Sequence, residues 1–447
     1  MEKLFKNLIP CLSLLITLLI VVIDAQAASE KKSNILASFS TASETWSLTA
    51  TQNYSGTSAS GTAHIYYGSS GLFCYPVIFV EGEDIIDERD ISDLYAICNQ
   101  QQLMESFLKN QQTVILFDFN DTLDYVQNNA FLLIDFIEKI QERTKSYLSI
   151  IGLSTGGLIA RYALAYMENH SLIHNVKDFI TIDSPHQGGN VPLGLQHWLD
   201  YFSAYSDTAK EKLSRLNQPL PQQILHYYYL ETNIDEAYPA SLHNTLMTEL
   251  KNMGNYPQLV RKIAFSNGSG AGQKLSLLDD GVFIRYEYTG FPNITGNVWA
   301  LSNNQSVEIF KGEIIPVKGL EKIEIDNAQP YDIAPGSLMD TNREIAQSDV
   351  NYGSILTENP FHSYVSTVSA LDINTTDIDS SIAQNADTPF DKIYFASDNQ
   401  EHLFISETFA DAIYSEIIDN MIQGDLDLDG SITLKDAIQM LKIISNN

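Results

Sequence analysis

Long apolar runs, cysteine and positive charge are all scarce in this chain of 447 residues. Beyond one run from Leu12 to Ile23, no segment approaches the roughly 20 apolar residues of a membrane-spanning helix. Lys3 and Lys6 precede that run, and Ala25 and Ala27 follow it in the small-residue pattern of a signal-peptidase site. The pattern predicts cleavage after Ala27, a secreted or periplasmic protein, and no integral span thereafter. Three cysteines are too few for a cysteine-stapled scaffold. Cys11 lies inside the leader, and Ile9-Pro10 lack the small residues of a lipoprotein box. Cys74 and Cys98 remain, either as a disulfide or as buried thiols. Lys and Arg number 26 against 56 Asp and Glu, for a formal net charge of −30. That surplus repels phosphate backbones and anionic headgroups, which excludes nucleic-acid binding and favours solubility. No internal repeat is present.

Residues 28–70 are rich in Ser, Thr, Ala and Gly and read as a leader, partly extended and partly without order. From Tyr75 the pattern changes. Short apolar runs at 75–82, 113–119, 147–151 and 178–183 read as strands, and helical periodicity fills 93–109, 126–142 and 157–167 between them. Alternation at this rhythm predicts an α/β fold with a mostly parallel sheet flanked by helices. It stops at residue 190. Residues 190–255 carry helical pieces, Pro219, Pro221 and the cluster Tyr227-Tyr228-Tyr229, and read as a helical lid. Residues 274–355 hold short alternating runs divided by Gly, Asn and Pro, which predict a β-rich insertion. The sheet is expected to resume at 364–371 and 392–395, so the catalytic domain spans 71–273 and 356–420.

The chemistry centres on Gly152-Leu153-Ser154-Thr155-Gly156. A bare G-x-S-x-G is common, but here a strand precedes it and a helix follows. Such a turn is tight enough to exclude side chains at the glycines and to lift the serine hydroxyl above the sheet edge. A serine hydroxyl attacks only when a base takes its proton and a third group orients that base. Of nine histidines, His402 lies latest, in a loop after the last strand. The chain order nucleophile, acid, histidine therefore favours it over His186. For the acid, Asp372 directly follows the run ending at Leu371. Asp391 is the rival, placed at the start of the last strand, and Asp279 and Asp280 lie further off. The oxyanion needs two N–H donors: the amide of Thr155, and that of Glu83 or Gly82 in the loop after the first strand.

Gly152-Leu-Ser-Thr-Gly-Gly-Leu-Ile-Ala-Arg161 followed by Ile182-Asp-Ser-Pro-His-Gln-Gly188 resembles the lipase and GPI inositol-deacylase-like branch of the α/β-hydrolases. The resemblance covers 75–190 well and 360–405 loosely. It implies the α/β-hydrolase fold, ester hydrolysis through an acyl-enzyme, and a structural role for His186. Members of the branch usually carry His-Gly after the first strand, where this chain has Glu81-Gly82.

The C-terminus holds a second pattern. Asp425, Asp427, Asp429 and Asp436 stand at positions 1, 3, 5 and 12 of a loop, with Gly430 at 6 and the carbonyl of Ser431 at 7, an oxygen set suited to Ca²⁺. This segment, 421–447, resembles one half of a dockerin. The resemblance implies a structural Ca²⁺, no metal in the chemistry, and a cohesin-like partner, although a whole dockerin has two such repeats. The sequence thus predicts a secreted serine carboxylic ester hydrolase acting through Ser154, His402 and Asp372. Acyl transfer to another acceptor, amide cleavage, or a non-catalytic binding protein on the same fold are the competing readings.

Overall fold

A computed structural model of the chain describes residues 41–83, 90–231, 237–303, 306–348, 350, 352–419 and 432–438. The predicted leader segment 1–27 and the loop residues Asp425, Asp427, Asp429 and Ser431 lie outside them. Seven strands follow in chain order: β1 (Glu44–Thr49), β2 (Ser60–Tyr66), β3 (Val77–Val80), β4 (Val114–Phe119), β5 (Leu148–Leu153), β6 (Val176–Ile182) and β7 (Arg261–Ser269). Helices α1 (Ile91–Cys98), α2 (Leu103–Lys109), α3 (Val126–Arg143) and α4 (Thr155–Asn169) connect them. After β6 the chain makes α5 (Leu193–Phe202), α6 (Asp207–Leu216), α7 (Pro219–Ile224) and α8 (Ser241–Asn252).

Beyond β7 a second sheet forms from β8 (Val282–Tyr288), β9 (Asn293–Trp299), β10 (Val307–Ile315) and β11 (Lys318–Ile325). Then come β12 (Gly336–Met339), α9 (Thr341–Ala346), β13 (Ile355–Leu356), β14 (His362–Ser366) and α10 (Thr367–Ala370). Last are β15 (Lys392–Ala396) and α11 (Glu407–Ile418). The main sheet has the order β1-β2-β4-β3-β5-β6-β7-β15, the inserted one β11-β10-β9-β8-β13. From β4 to β15 all neighbours in the main sheet are parallel, while β1 and β2 pair antiparallel at one edge. This is the α/β-hydrolase fold. Among the described residues no helix is long and apolar enough to cross a membrane.

Alternate strand residues feed two separate cores. Ile78, Val80, Ile115, Phe117 and Ile150 pack on one face against α3 and α4. Val77, Phe79, Val114, Leu116 and Ile151 pack on the other against α1, α2 and α11. Both faces are covered, which is why the central strands read as near-continuous apolar runs. Phe117 and Phe136 stack with centroids 4.5 Å apart and join sheet to helix. Burying each such ring contributes roughly 1.5–3 kcal/mol.

Three expectations need correction. Residues 44–49 and 60–66, inside the segment expected as a partly extended leader, are β1 and β2 at one end of the main sheet. Trp46, Ala63 and Ile65 face the core there while Ser and Thr alternate outward, and a strand with one wet face looks polar on average. The helix over 93–109 is broken at Gln101 and Gln102, whose φ values are +56° and +59°. Most consequential is 364–371. It does not return to the main sheet: β14 pairs antiparallel with β12 in a separate two-stranded ribbon, and residues 367–370 are helical. Cys74 and Cys98 are both buried and unbonded to each other.

Candidate active site

β5 ends at Leu153 and α4 starts at Thr155, leaving Ser154 alone in the turn with φ +49° and ψ −126°. A non-glycine residue in this region is strained and is held there by its surroundings. The surroundings are tight. A Cβ on Gly152 would stand 2.3 Å from the Cα of Gly157, and one on Gly82 would stand 2.0 Å from the carbonyl oxygen of Leu153 and 2.8 Å from the Cβ of Ser154. The Ser154 N–H donates to the carbonyl of Ile182 at 2.9 Å, and the residue is fully buried.

His402 reaches this serine across 248 residues, its Nε2 lying 2.9 Å from Ser154 Oγ. Its backbone N–H donates to the Leu338 carbonyl at 2.8 Å, and Leu338 N–H donates to Gln400 at 2.9 Å, so β12 grips the histidine loop. The ring stands edge-on to Tyr364 at 4.8 Å.

The carboxylate behind His402 belongs to Asp183. Its Oδ2 lies 3.5 Å from His402 Nδ1 and the side chain is fully buried. Asp183 follows the carboxyl end of β6, the neighbour of β5, with φ +49°. Oδ1 accepts the Asn267 N–H at 2.7 Å, while Oδ2 accepts Asn267 Nδ2 at 2.7 Å and the Leu403 N–H at 2.9 Å. Burial pushes its carboxyl up to about 6, and the hydrogen bonds from Asn267 and Leu403 oppose that rise. Ser337 Oγ, from β12, also meets His402 Nδ1, at 2.9 Å.

Asp372 is not at this position. Its Oδ2 accepts Tyr256 Oη at 2.7 Å and its Oδ1 accepts Gln187 Nε2 at 2.8 Å, without an ion pair or hydrogen bond to His402. The ribbon explains this: the strand before Asp372 was expected to deliver it to the sheet's carboxyl edge, and that strand is not in the sheet. Asp391 is at the other edge, accepting the Lys262 N–H at 2.7 Å. Glu83 also departs from its expected part, because its N–H donates to Thr155 Oγ1 at 2.9 Å. Its buried carboxylate takes Arg215 Nη2 of α6 at 2.8 Å and the hydroxyl of Thr122. The Thr155 amide stands at the first position of α4, where a helix N–H has no acceptor within its own helix. His186 is fully buried between Tyr256 and Phe390, with burial holding it well below the usual imidazole range. Asp436, the described member of the C-terminal acidic pattern, accepts the N–H and hydroxyl of Thr433 at 2.7 and 3.1 Å.

Sequence reasoning missed Asp183, Asn267 and Ser337. Asp183 had a visible signal, an acidic residue at the carboxyl end of a parallel strand, but the run ending at Leu371 offered Asp372 in the same way and nearer to His402. Ser337 had none.

The family model for palmitoyl protein thioesterase matches residues 76–253. That stretch holds Ser154 and Asp183 and ends before Ser337 and His402. No curated protein matches the chain. Among solved structures, the mature form of a Bacillus licheniformis lipase is 15% identical, covering 46% of this chain and 72% of its own, with a TM-score of 0.29. A thermostable carboxylesterase cloned from a metagenomic library is also 15% identical, with 53% and 84% covered and a TM-score of 0.29. A Pyrobaculum calidifontis esterase is 13% identical, with 54% and 82% covered and a TM-score of 0.30.

Proposed function

We propose that this chain is an exported serine hydrolase of carboxylic esters or thioesters, working through Ser154, His402 and Asp183. The observation that carries the reading is the 2.9 Å approach of His402 Nε2 to a hydroxyl held in a strained strand-to-helix turn. In the reading, Ser154 attacks the acyl carbonyl as its proton passes to His402 Nε2. The imidazolium so formed sits beside the Asp183 carboxylate, and the amide of Thr155 faces the developing oxyanion. Nε2 then returns the proton to the departing alcohol or thiol, and water releases the acyl group by the same steps in reverse. The match to palmitoyl protein thioesterase supports placing thioesters beside oxygen esters as substrates.

A panel of p-nitrophenyl esters and acyl thioesters of graded chain length tests this. Wild-type protein is expected to hydrolyse some of them, and Ser154→Ala to lose at least about 10³ of the rate. Undiminished turnover by Ser154→Ala overturns the proposal. Export and cleavage after Ala27 belong to the same reading, and N-terminal sequencing of secreted protein tests them. The pattern at Asp425, Asp427, Asp429, Ser431 and Asp436 would hold a structural Ca²⁺, and a cohesin-like partner goes with it. Calorimetric titration with Ca²⁺, against Asp427→Ala, tests that part separately.

A further inference from the structure

Proton accounting at His402 leads past the three residues above. For Nε2 to accept the Ser154 hydroxyl proton, the neutral imidazole must carry its own proton on Nδ1. Ser337 and Asp183 each place an oxygen near Nδ1. Ser337 Oγ lies at 2.9 Å, inside hydrogen-bond range, and Asp183 Oδ2 lies at 3.5 Å, outside it. Asp183 Oδ2 is also engaged twice, by Asn267 and by Leu403. Ser337 is fully buried, and its hydroxyl oxygen has lone pairs with which to accept the Nδ1 proton.

We infer that Ser337 is a positioning residue that accepts the His402 Nδ1 proton directly, with Asp183 acting on the imidazole through its charge. The inference rests on the serine-hydrolase reading for its kinetic consequence, and on geometry alone for the proton's location. It also gives the inserted segment a part in the site. Ser337 and Leu338 belong to β12, built after the second sheet, and they hold the histidine by ring and by backbone. With the hydroxyl gone, the ring would lose the 2.9 Å contact at Nδ1, and its orientation toward Ser154 would loosen. An attack geometry degrades steeply with such misplacement.

The test uses the full chain, wild type against Ser337→Ala, in two measurements. Kinetics on the best ester found should show kcat lowered about ten- to a hundredfold with KM unchanged, the size expected for one hydrogen bond to a group that becomes charged. Proton NMR should show the downfield Nδ1–H resonance, assigned by its loss in His402→Ala, shifted in Ser337→Ala. Should Ser337→Ala fail to fold, Ser337→Cys keeps the volume with a poorer acceptor and carries the same expectations. A folded variant with wild-type kcat and an unmoved resonance overturns the inference. If wild-type protein hydrolyses nothing in the panel, the hydrolase reading fails, and the resonance alone then decides where the Nδ1 proton goes.

Discussion

At the residue scale, the site depends on burial that would be unfavourable without satisfied partners. Asp183 keeps a negative charge out of water because Asn267 and Leu403 give it three N–H donors. Asp183→Asn removes the charge and is expected to lower kcat by about 10³–10⁴ with modest change in KM, read by steady-state kinetics. A second expectation concerns Gly82. A methyl group there must displace the Leu153 carbonyl or the Ser154 Cβ. Gly82→Ala should therefore lose activity far out of proportion to any loss of α-helical signal by circular dichroism. That Ser154 and His402 would meet was legible in the chain because each has a local signature, the G-x-S-x-G turn and a late loop histidine. The carboxylate beside His402 was not, since finding it required knowing which strand adjoins which. Asp372 was favoured on the assumption that β14 lies in the main sheet, and one strand in the wrong sheet moved the acid by 189 positions in sequence.

Elements show the same division between local and distant information. β3 to β6 and α3, α4 follow from apolar runs and helical spacing, because both faces of the central sheet are buried and the pattern repeats locally. The edge strands and the β12–β14 ribbon did not, since each is stabilised by pairing with residues far along the chain. One contact between elements carries a clear expectation. Arg215 of α6 is paired with Glu83 in a site where the two side chains are 13% and 5% exposed. Removing the guanidinium leaves a buried carboxylate whose remaining contact is with the Thr122 hydroxyl among others. Arg215→Ala should thus destabilise the protein by about 3 kcal/mol. A fall of several degrees in the thermal midpoint checks it, and Glu83→Gln in the same background should recover part of the loss.

For the whole molecule, acid is the expected stress. Burial holds His197, His226 and His362 down to about 4, 3 and 4, and lowers His174, His186 and His243 as well. In the unfolded chain these groups titrate near 6.5. Between the two values the unfolded chain binds protons that the native one refuses, so stability falls as pH drops from about 6.5 toward 4. Asp183 and Asp332, each raised to about 6 by burial, act in the opposite sense. The native state keeps their protons between about 6 and 4 after the unfolded chain has released them, so they add stability as pH falls through 6. Each of the three strongly shifted histidines contributes on the order of 2–3 kcal/mol of loss at pH 4.5, against roughly 2 kcal/mol of gain per aspartate. The histidines prevail. The thermal midpoint should be lower at pH 4.5 than at pH 7, and the gap should narrow in His226→Gln.

The account turns on Ser154 being a hydroxyl made nucleophilic by His402. Its most direct test is mass spectrometry of folded protein treated with a fluorophosphonate, which labels serines only when a neighbouring base activates them. One adduct is expected, on the peptide bearing Ser154, with labelling abolished in Ser154→Ala and slowed by orders of magnitude in His402→Ala. An unlabelled Ser154 in folded wild-type protein, or labelling that proceeds equally fast without His402, would contradict it.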